Sequence, residues 1–181
     1  AQQGTGNEGG NYIVGTNGAN MLYGMGGNDI LDGRAGADTM YGGSGNDRYR
    51  VSQLADVVTE LADEGKDVVE STVNFVLGDH LENLILSGNA GTGTGNVLNN
   101  QITGNVRNNT LNGMAGSDTI NGGGGLDSIS GGAGRDFMTG GTGADRFAFD
   151  DGDFGGITVG AADRIFGFSQ IEDDIIDLRL V

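Results

Sequence analysis

A spacing of nine residues governs both ends of this chain. From Gly24 the segments GMGGNDILD, GRAGADTMY and GGSGNDRYR follow one another without a gap to Arg50, and from Gly113 the segments GMAGSDTIN, GGGGLDSIS, GGAGRDFMT and GGTGADRFA run to Ala148. Each carries Gly at positions one and four, Asp at position six and a large apolar side chain at position eight. A period this short rules out an ordinary packed core, because each unit holds one turn and one short strand and must bury its face against its neighbours. Looser units extend both arrays towards the amino terminus: GNEGGNYIV from Gly6, GTNGANMLY from Gly15, GNVLNNQIT from Gly95 and GNVRNNTLN from Gly104. In these, Asn11, Asn20, Asn100 and Asn109 stand where Asp is expected.

The first six positions read as a turn and the last three as a strand whose eighth side chain points inward. Leu31, Met40, Tyr49, Ile120, Ile129, Met138 and Phe147 are the predicted core. Glycine is expected where the turn needs positive φ or where one backbone passes close above the next. Two units make one coil, so residues 18 apart stack, placing Asp29 over Asp47, Asp118 over Asp136 and Asp127 over Asp145. Stacked carboxylates repel unless a cation lies between them, and six or more oxygen ligands suit calcium better than magnesium. The plainer reading, that these residues merely form Asx turns, leaves the fixed period unexplained. For the pairs Asn11/Asp29, Asn20/Asp38, Asn100/Asp118 and Asn109/Asp127, weaker cation binding and a metal-free Asn ladder both stay open.

Composition agrees that something besides a core must hold the fold. Glycine fills 38 of 181 positions, Pro, Cys and Trp are absent, and 36% of residues are hydrophobic. Ordering each residue costs roughly 1–2 kcal/mol of conformational entropy, most for glycine. Twenty-five acidic against nine basic side chains give a formal charge of −16, which argues against nucleic acid and anionic membranes as partners and for bound cations. No apolar run approaches the length of a membrane span, no charged, apolar, small-residue signal pattern is read in the first residues, and the lack of cysteine fits an extracellular bacterial protein.

The pattern GGxGxDxUx, with U a large apolar residue, resembles the RTX family of calcium-binding repeats. The resemblance implies an all-β fold, a right-handed parallel β-roll, with calcium between successive stacked turns. The ligands it implies are the Asp carboxylate and the carbonyls of positions one and three. In the first array these are Gly24, Gly26 and Asp29, then Gly33, Ala35 and Asp38, then Gly42, Ser44 and Asp47. In the second they are Gly113, Ala115 and Asp118, Gly122, Gly124 and Asp127, Gly131, Ala133 and Asp136, and Gly140, Thr142 and Asp145, with Asn20, Asn100 and Asn109 as weaker contributors. About 5–8 calcium ions are expected.

The chain reads as one roll: a first array over 6–50, wider non-repeat coils over 51–94, a second array over 95–148 and a cap over 149–181. In the non-repeat segment Val57, Val58, Val68, Val69, Val73 and Val76 favour strands, against a competing amphipathic helix over Leu54 to Leu61. After Phe149, DRIFGF and DDIIDLRLV resemble the paired strands that close the roll in serralysin-type metalloproteases and alginate epimerases. Phe147, Phe149, Ile165, Phe168, Ile175, Ile176 and Leu178 are expected to plug it. The single histidine, His80, reads as a solvated turn residue, and no catalytic constellation is apparent. The resemblance implies the carboxy-terminal part of a secreted bacterial protein, with type I secretion machinery as a partner and an uncleaved secretion signal at the extreme carboxy terminus. The module would fold on calcium outside the cell and support an upstream catalytic domain. An extracellular polysaccharide ligand and a role as an adhesin or surface-layer segment are the alternatives.

Overall fold

The computed structural model describes residues 1–150 and 162–180. It is a β-solenoid of parallel strands, and among the described residues there is no helix. One side is a nine-stranded sheet: Tyr12–Val14, Ile30–Asp32, Arg48–Val51, Val68–Ser71, Asn83–Leu86, Gln101–Thr103, Thr119–Gly124, Phe137–Thr142 and Arg164–Phe166. The chain alternates between this sheet and a second side, which is divided. Gln2–Thr5, Asn20–Gly26, Thr39–Ser44 and Val57–Thr59 make a four-stranded sheet; Phe75–Val76, Thr92–Thr94, Thr110–Asn112, Ser128–Ser130, Arg146–Asp150 and Ile175–Leu180 make a six-stranded one.

Within the arrays the register repeats as the period predicts, Leu31 pairing with Tyr49 and Ile120 with Met138. Some strands are longer than the predicted three residues. Asn20–Gly26 and Thr119–Gly124, for example, continue from one unit into the first positions of the next. All seven predicted core residues are buried, joined by Leu22, Val69, Leu84, Ile102 and Leu111 in one continuous file. Side chains on either side of each eighth position face outward, as pleating requires.

In the non-repeat segment the strands form and the helix over Leu54 to Leu61 does not. Leu54, Val57 and Leu61 are exposed while Val58 is buried, an alternation of period two that suits the strand Val57–Thr59. Val76 is exposed as well, and Val73 packs against the core from the side. The coils here are not uniformly wider: Tyr49 pairs with Val69, then Val69 with Leu84, so a longer coil is followed by a shorter one.

The cap differs from expectation in two ways. Its strands do not pair with each other; Arg164–Phe166 joins Phe137–Thr142 and Ile175–Leu180 joins Arg146–Asp150, both in parallel, so each prolongs its own sheet. Phe147 is buried and Phe149 and Ile165 pack on the core, but Phe168, Ile175, Ile176 and Leu178 are exposed. The last coil therefore continues the roll and does not fold its apolar side chains back across the end. Residues 151–161, expected to form part of the cap, lie outside the described residues. His80 is exposed in a turn at φ +64°.

Candidate metal centre

Each strand of the nine-stranded sheet is preceded by an acid or an Asn, and these residues stack into a ladder: Asn11, Asp29, Asp47, Asp67, Glu82, Asn100, Asp118, Asp136 and Asp163. One carboxylate oxygen of each acid accepts the backbone N–H of the ladder residue one coil earlier. Asp47 Oδ1 takes the Asp29 N–H at 2.7 Å, Asp67 Oδ1 takes that of Asp47 at 2.7 Å, and Asp136 Oδ1 that of Asp118 at 2.7 Å. A second ladder lies along the other edge. Asp38 receives the N–H of Asn20 and Asp56 that of Asp38; after an interruption, Asp127 receives the N–H of Asn109, Asp145 that of Asp127 and Asp174 that of Asp145.

The other oxygen is the informative one. The Oδ2 atoms of Asp29, Asp38, Asp47, Asp67, Asp118, Asp127, Asp136, Asp145 and Asp163 are buried and have no hydrogen-bond partner. Leaving such an oxygen buried and unpaired carries a penalty of about 1–3 kcal/mol, more for a charged group. In the repeats it turns back onto the glycine that opens its own unit. A Cβ at Gly24 would lie 2.2 Å from Asp29 Oδ2 and 2.5 Å from the Gly42 carbonyl one coil on. The same pairing recurs at Gly113, with Asp118 Oδ2 and the Gly131 carbonyl, and at Gly122, with Asp127 Oδ2 and the Gly140 carbonyl. Position one is thus glycine because a carboxylate and a carbonyl converge there. Position four is glycine for its backbone, with φ between +94° at Gly27 and +142° at Gly134.

Position-three residues are in register across the same gaps, Gly26 with Ser44, Ala115 with Ala133 and Gly124 with Thr142. The carbonyls of Ser44, Ala133 and Thr142 also accept the N–H groups of Gly27, Gly116 and Gly125. Gly33, Ala35 and Asp38 stand differently, because the acid stacked above them is Asp56. Both oxygens of Asp56 are occupied, Oδ1 by the N–H of Asp38 and Oδ2 by those of Ser52 and Gln53. The Asn turns are likewise filled. Asn100 Oδ1 accepts the Asn96 N–H and its Nδ2 donates to the Leu81 carbonyl; Asn109 does the same with Asn105 and Ala90, while Asn20 accepts the Thr16 N–H and donates to the Thr16 hydroxyl.

Burial raises several of the carboxyls that carry free oxygens. Asp47, Asp67, Asp127 and Asp136 are pushed up to about 6 and Asp118 to about 7, with desolvation the leading cause and the accepted backbone N–H opposing it. Asp38, Asp145 and Asp163 are raised for the same first reason. Glu60 goes furthest, to about 9, through burial and then the charge of Asp67. An adjacent cation would reverse this, since an opposite charge favours the ionised form.

A family model described as the RTX calcium-binding nonapeptide repeat matches the chain in four copies, over residues 5–40, 14–49, 94–129 and 122–153, more than half of its length. The chain belongs to this family. Compared with curated proteins, the RTX chain has no significant match. Its donor set fits the cation that the family name implies: hard oxygens from carboxylates and carbonyls, brought together in a cradle that tolerates no Cβ, with buried anionic oxygens left unpaired. It is a calcium-binding repeat module. Asp67, Glu82 and Asp163 lie outside the repeat text and were missed by the nonapeptide pattern. The half-motif of an acid two residues before a buried or half-buried apolar side chain, Asp67-Val-Val69, Glu82-Asn-Leu84 and Asp163-Arg-Ile165, would have found them.

Proposed function

We propose that this RTX roll is a calcium-triggered folding module of a secreted bacterial protein, unfolded at low calcium, passed outward by type I secretion machinery and folded outside the cell, where it stabilises an upstream domain. Calcium ions lie between stacked turns, held by Gly24, Gly26 and Asp29 with Gly42, Ser44 and Asp47, and by the corresponding sets around Asp118 with Asp136 and Asp127 with Asp145. The Asn turns, whose side-chain amides are already taken up in hydrogen bonds, hold none. The observation that carries this reading is the row of buried, unpaired Oδ2 atoms, a charge arrangement that disfavours the metal-free roll and that a divalent cation between turns neutralises. A ligand present at 100 times its dissociation constant contributes about 2.7 kcal/mol per site, so several sites together match the net stability of a whole domain.

The polysaccharide reading takes second place. On the outward face of the nine-stranded sheet, Tyr12, Arg48 and Arg50 stand at one end and Phe137, Arg164 and Phe166 at the other, with Val68, Asn83, Gln101 and Thr119 between them. Basic and aromatic groups do not form a continuous stripe.

Far-UV circular dichroism during a calcium titration, with magnesium as control, tests the proposal. The expected result is a cooperative gain of β signal with calcium alone, centred in the range of about 0.1–1 mM typical of extracellular modules. A chain fully folded in chelator and indifferent to calcium would overturn it.

A further inference from the structure

Where the first array ends, the regular cradle changes. At Gly42 the nearest atoms to a would-be Cβ are Asp47 Oδ2 and the hydroxyl of Tyr49, in place of the carbonyl from the next coil that stands beside Gly24. The Tyr49 hydroxyl donates to Glu60 Oε1. Glu60 comes from the longer coil that follows, and with Asp47 and Asp67 it brings three carboxylates together, one oxygen of each lying within 4.8 Å of the others. All three residues are at least 95% buried, at 1%, 5% and 1% relative exposure for Asp47, Glu60 and Asp67. Each keeps one oxygen with no hydrogen-bond partner, and among the described residues no Lys or Arg pairs with any of them.

We propose that Asp47, Glu60 and Asp67 form a further calcium site, built at the end of the repeats with two carboxylates that no nonapeptide supplies. The proposal rests on the calcium reading of the repeats but adds two ligands from outside them, since the family match leaves out residues 50–93. The argument is one of charge and anchoring. Asp47 and Asp67 are each fixed by an accepted backbone N–H, from Asp29 and Asp47 respectively, both at 2.7 Å. Glu60 is fixed by Tyr49. One oxygen of each is thus held close to the other two with no Lys or Arg paired to them among the described residues, an arrangement that repels itself unless a cation enters. Three carboxylates give this site more negative charge than the repeat cradles, in which two carboxylates share the work with carbonyls, and higher ligand charge tightens calcium binding. The longer coil has a role here, because it brings Glu60 to Tyr49 and Asp47 at the last repeat.

The test uses the full chain. Terbium replaces calcium, and emission is excited through tyrosine, of which Tyr49 is the one bonded to the proposed site; native mass spectrometry counts calcium ions bound at saturation. Tyr49→Phe should lose most of the sensitised emission. Glu60→Gln, nearly isosteric, should bind one calcium fewer than the wild type and lose the same emission. Emission indifferent to Tyr49→Phe, or an unchanged calcium count in a folded Glu60→Gln, would overturn this site and leave the repeat sites standing. A wild-type chain that binds no calcium at all would overturn both readings. If Glu60→Gln fails to fold at saturating calcium, the Tyr49→Phe comparison decides alone.

Discussion

The two sides of the roll follow the same rule with different outcomes. On the nine-stranded side an acid or Asn precedes every strand from Asn11 to Asp163, and the sheet is unbroken even where the coil lengthens to Asp67 and shortens to Glu82. On the other side the ladder stops at Asp56, whose N–H turns back to the Gln53 carbonyl of its own turn, and the sheet divides between Val57–Thr59 and Phe75–Val76. Beyond the division, Asn74 accepts the N–H groups of both Gly91 and Thr92, so one side chain spans a slip in phase. Continuity of the sheet therefore depends on an anchored side chain before each strand more than on the nonapeptide itself. The two ladders also differ in their need for cations: unpaired Oδ2 atoms occur at Asp29, Asp47, Asp67, Asp118, Asp136 and Asp163 on the first, and at Asp38, Asp127 and Asp145 on the second.

The sharpest way to break this comparison is to remove an acid from each ladder. Asp118→Ala takes away the acceptor of the Asn100 N–H and a free oxygen beside Gly113. At saturating calcium it should destabilise the roll by about 2–4 kcal/mol, combining a lost buried hydrogen bond with a lost or weakened cation site, and native mass spectrometry should show less calcium bound. Asp56→Ala, which removes bonds to Asp38, Ser52 and Gln53, should cost about 1–2 kcal/mol with the calcium count unchanged. Equal calcium loss in both variants would mean that the second ladder is as cation-dependent as the first.

A gentler pair asks whether charge or hydrogen bonding matters. Asp67→Asn keeps an oxygen for the Asp47 N–H but discards the negative charge, so the calcium midpoint should rise and stability at fixed calcium fall by about 1–2 kcal/mol. Asp56→Asn, whose oxygens already serve backbone N–H groups, should leave the midpoint where it was. A calcium titration followed by circular dichroism reads both.

The ease of choosing these variants reflects what the sequence does and does not display. Asp29, Asp47, Asp118 and Asp136 can be read directly, because glycines at fixed offsets mark each turn and the eighth residue marks each strand. The core file follows from the same arithmetic. Asp67 and Glu82 are hidden because their coils depart from the period, and only the acid-x-apolar half of the motif survives. Glu60 gives no signal at all: its approach to Asp47 depends on how the longer coil folds over the last repeat, a tertiary result that no local pattern encodes. The cap was legible as strands but not as parallel strands, since DRIFGF and DDIIDLRLV carry acid-x-apolar half-motifs, Asp163-Arg-Ile165 and Asp174-Ile-Ile176, that dock them onto the two ladders.

Acidity should sharpen the contrast further. Carboxyls at about 6 to 7 in the metal-free roll lie above the 3.8 of a free Asp, so the folded chain holds their protons more tightly than the unfolded one. That contribution to the metal-free fold is fully present below about pH 3.8 and is lost as pH rises through 6 to 7. Calcium must displace the same protons. For a folded site titrating near 6, the calcium dissociation constant should rise about tenfold between pH 7 and pH 5, read by competing a chelator against the loaded roll. Asp118→Asn should flatten this dependence, whereas Asp56→Asn should not.

The smallest expected effect lies in the turns themselves. Position two of the unit takes positive φ, and Gly43, Gly123, Gly132 and Gly141 satisfy it, but Met25 and Met114 occupy it at +85° and +80°. Both precede strands of the nine-stranded sheet, and both side chains are about half exposed, so little packing would be lost on removing them. Left-handed backbone costs a residue with a Cβ about 1–2 kcal/mol, while glycine gives back about 0.4–1 kcal/mol through the freer unfolded chain. Met25→Gly and Met114→Gly should therefore stabilise the calcium-loaded roll by about 0.5 kcal/mol each, measured by thermal unfolding. Arg34 offers the control on the other edge. Its φ of +66° lies nearer the ordinary left-handed minimum, so Arg34→Gly should gain less or nothing. If the arginine variant gained as much as the methionine ones, relief of strain would not be the cause, and glycine at position two would have to serve the turn in another way.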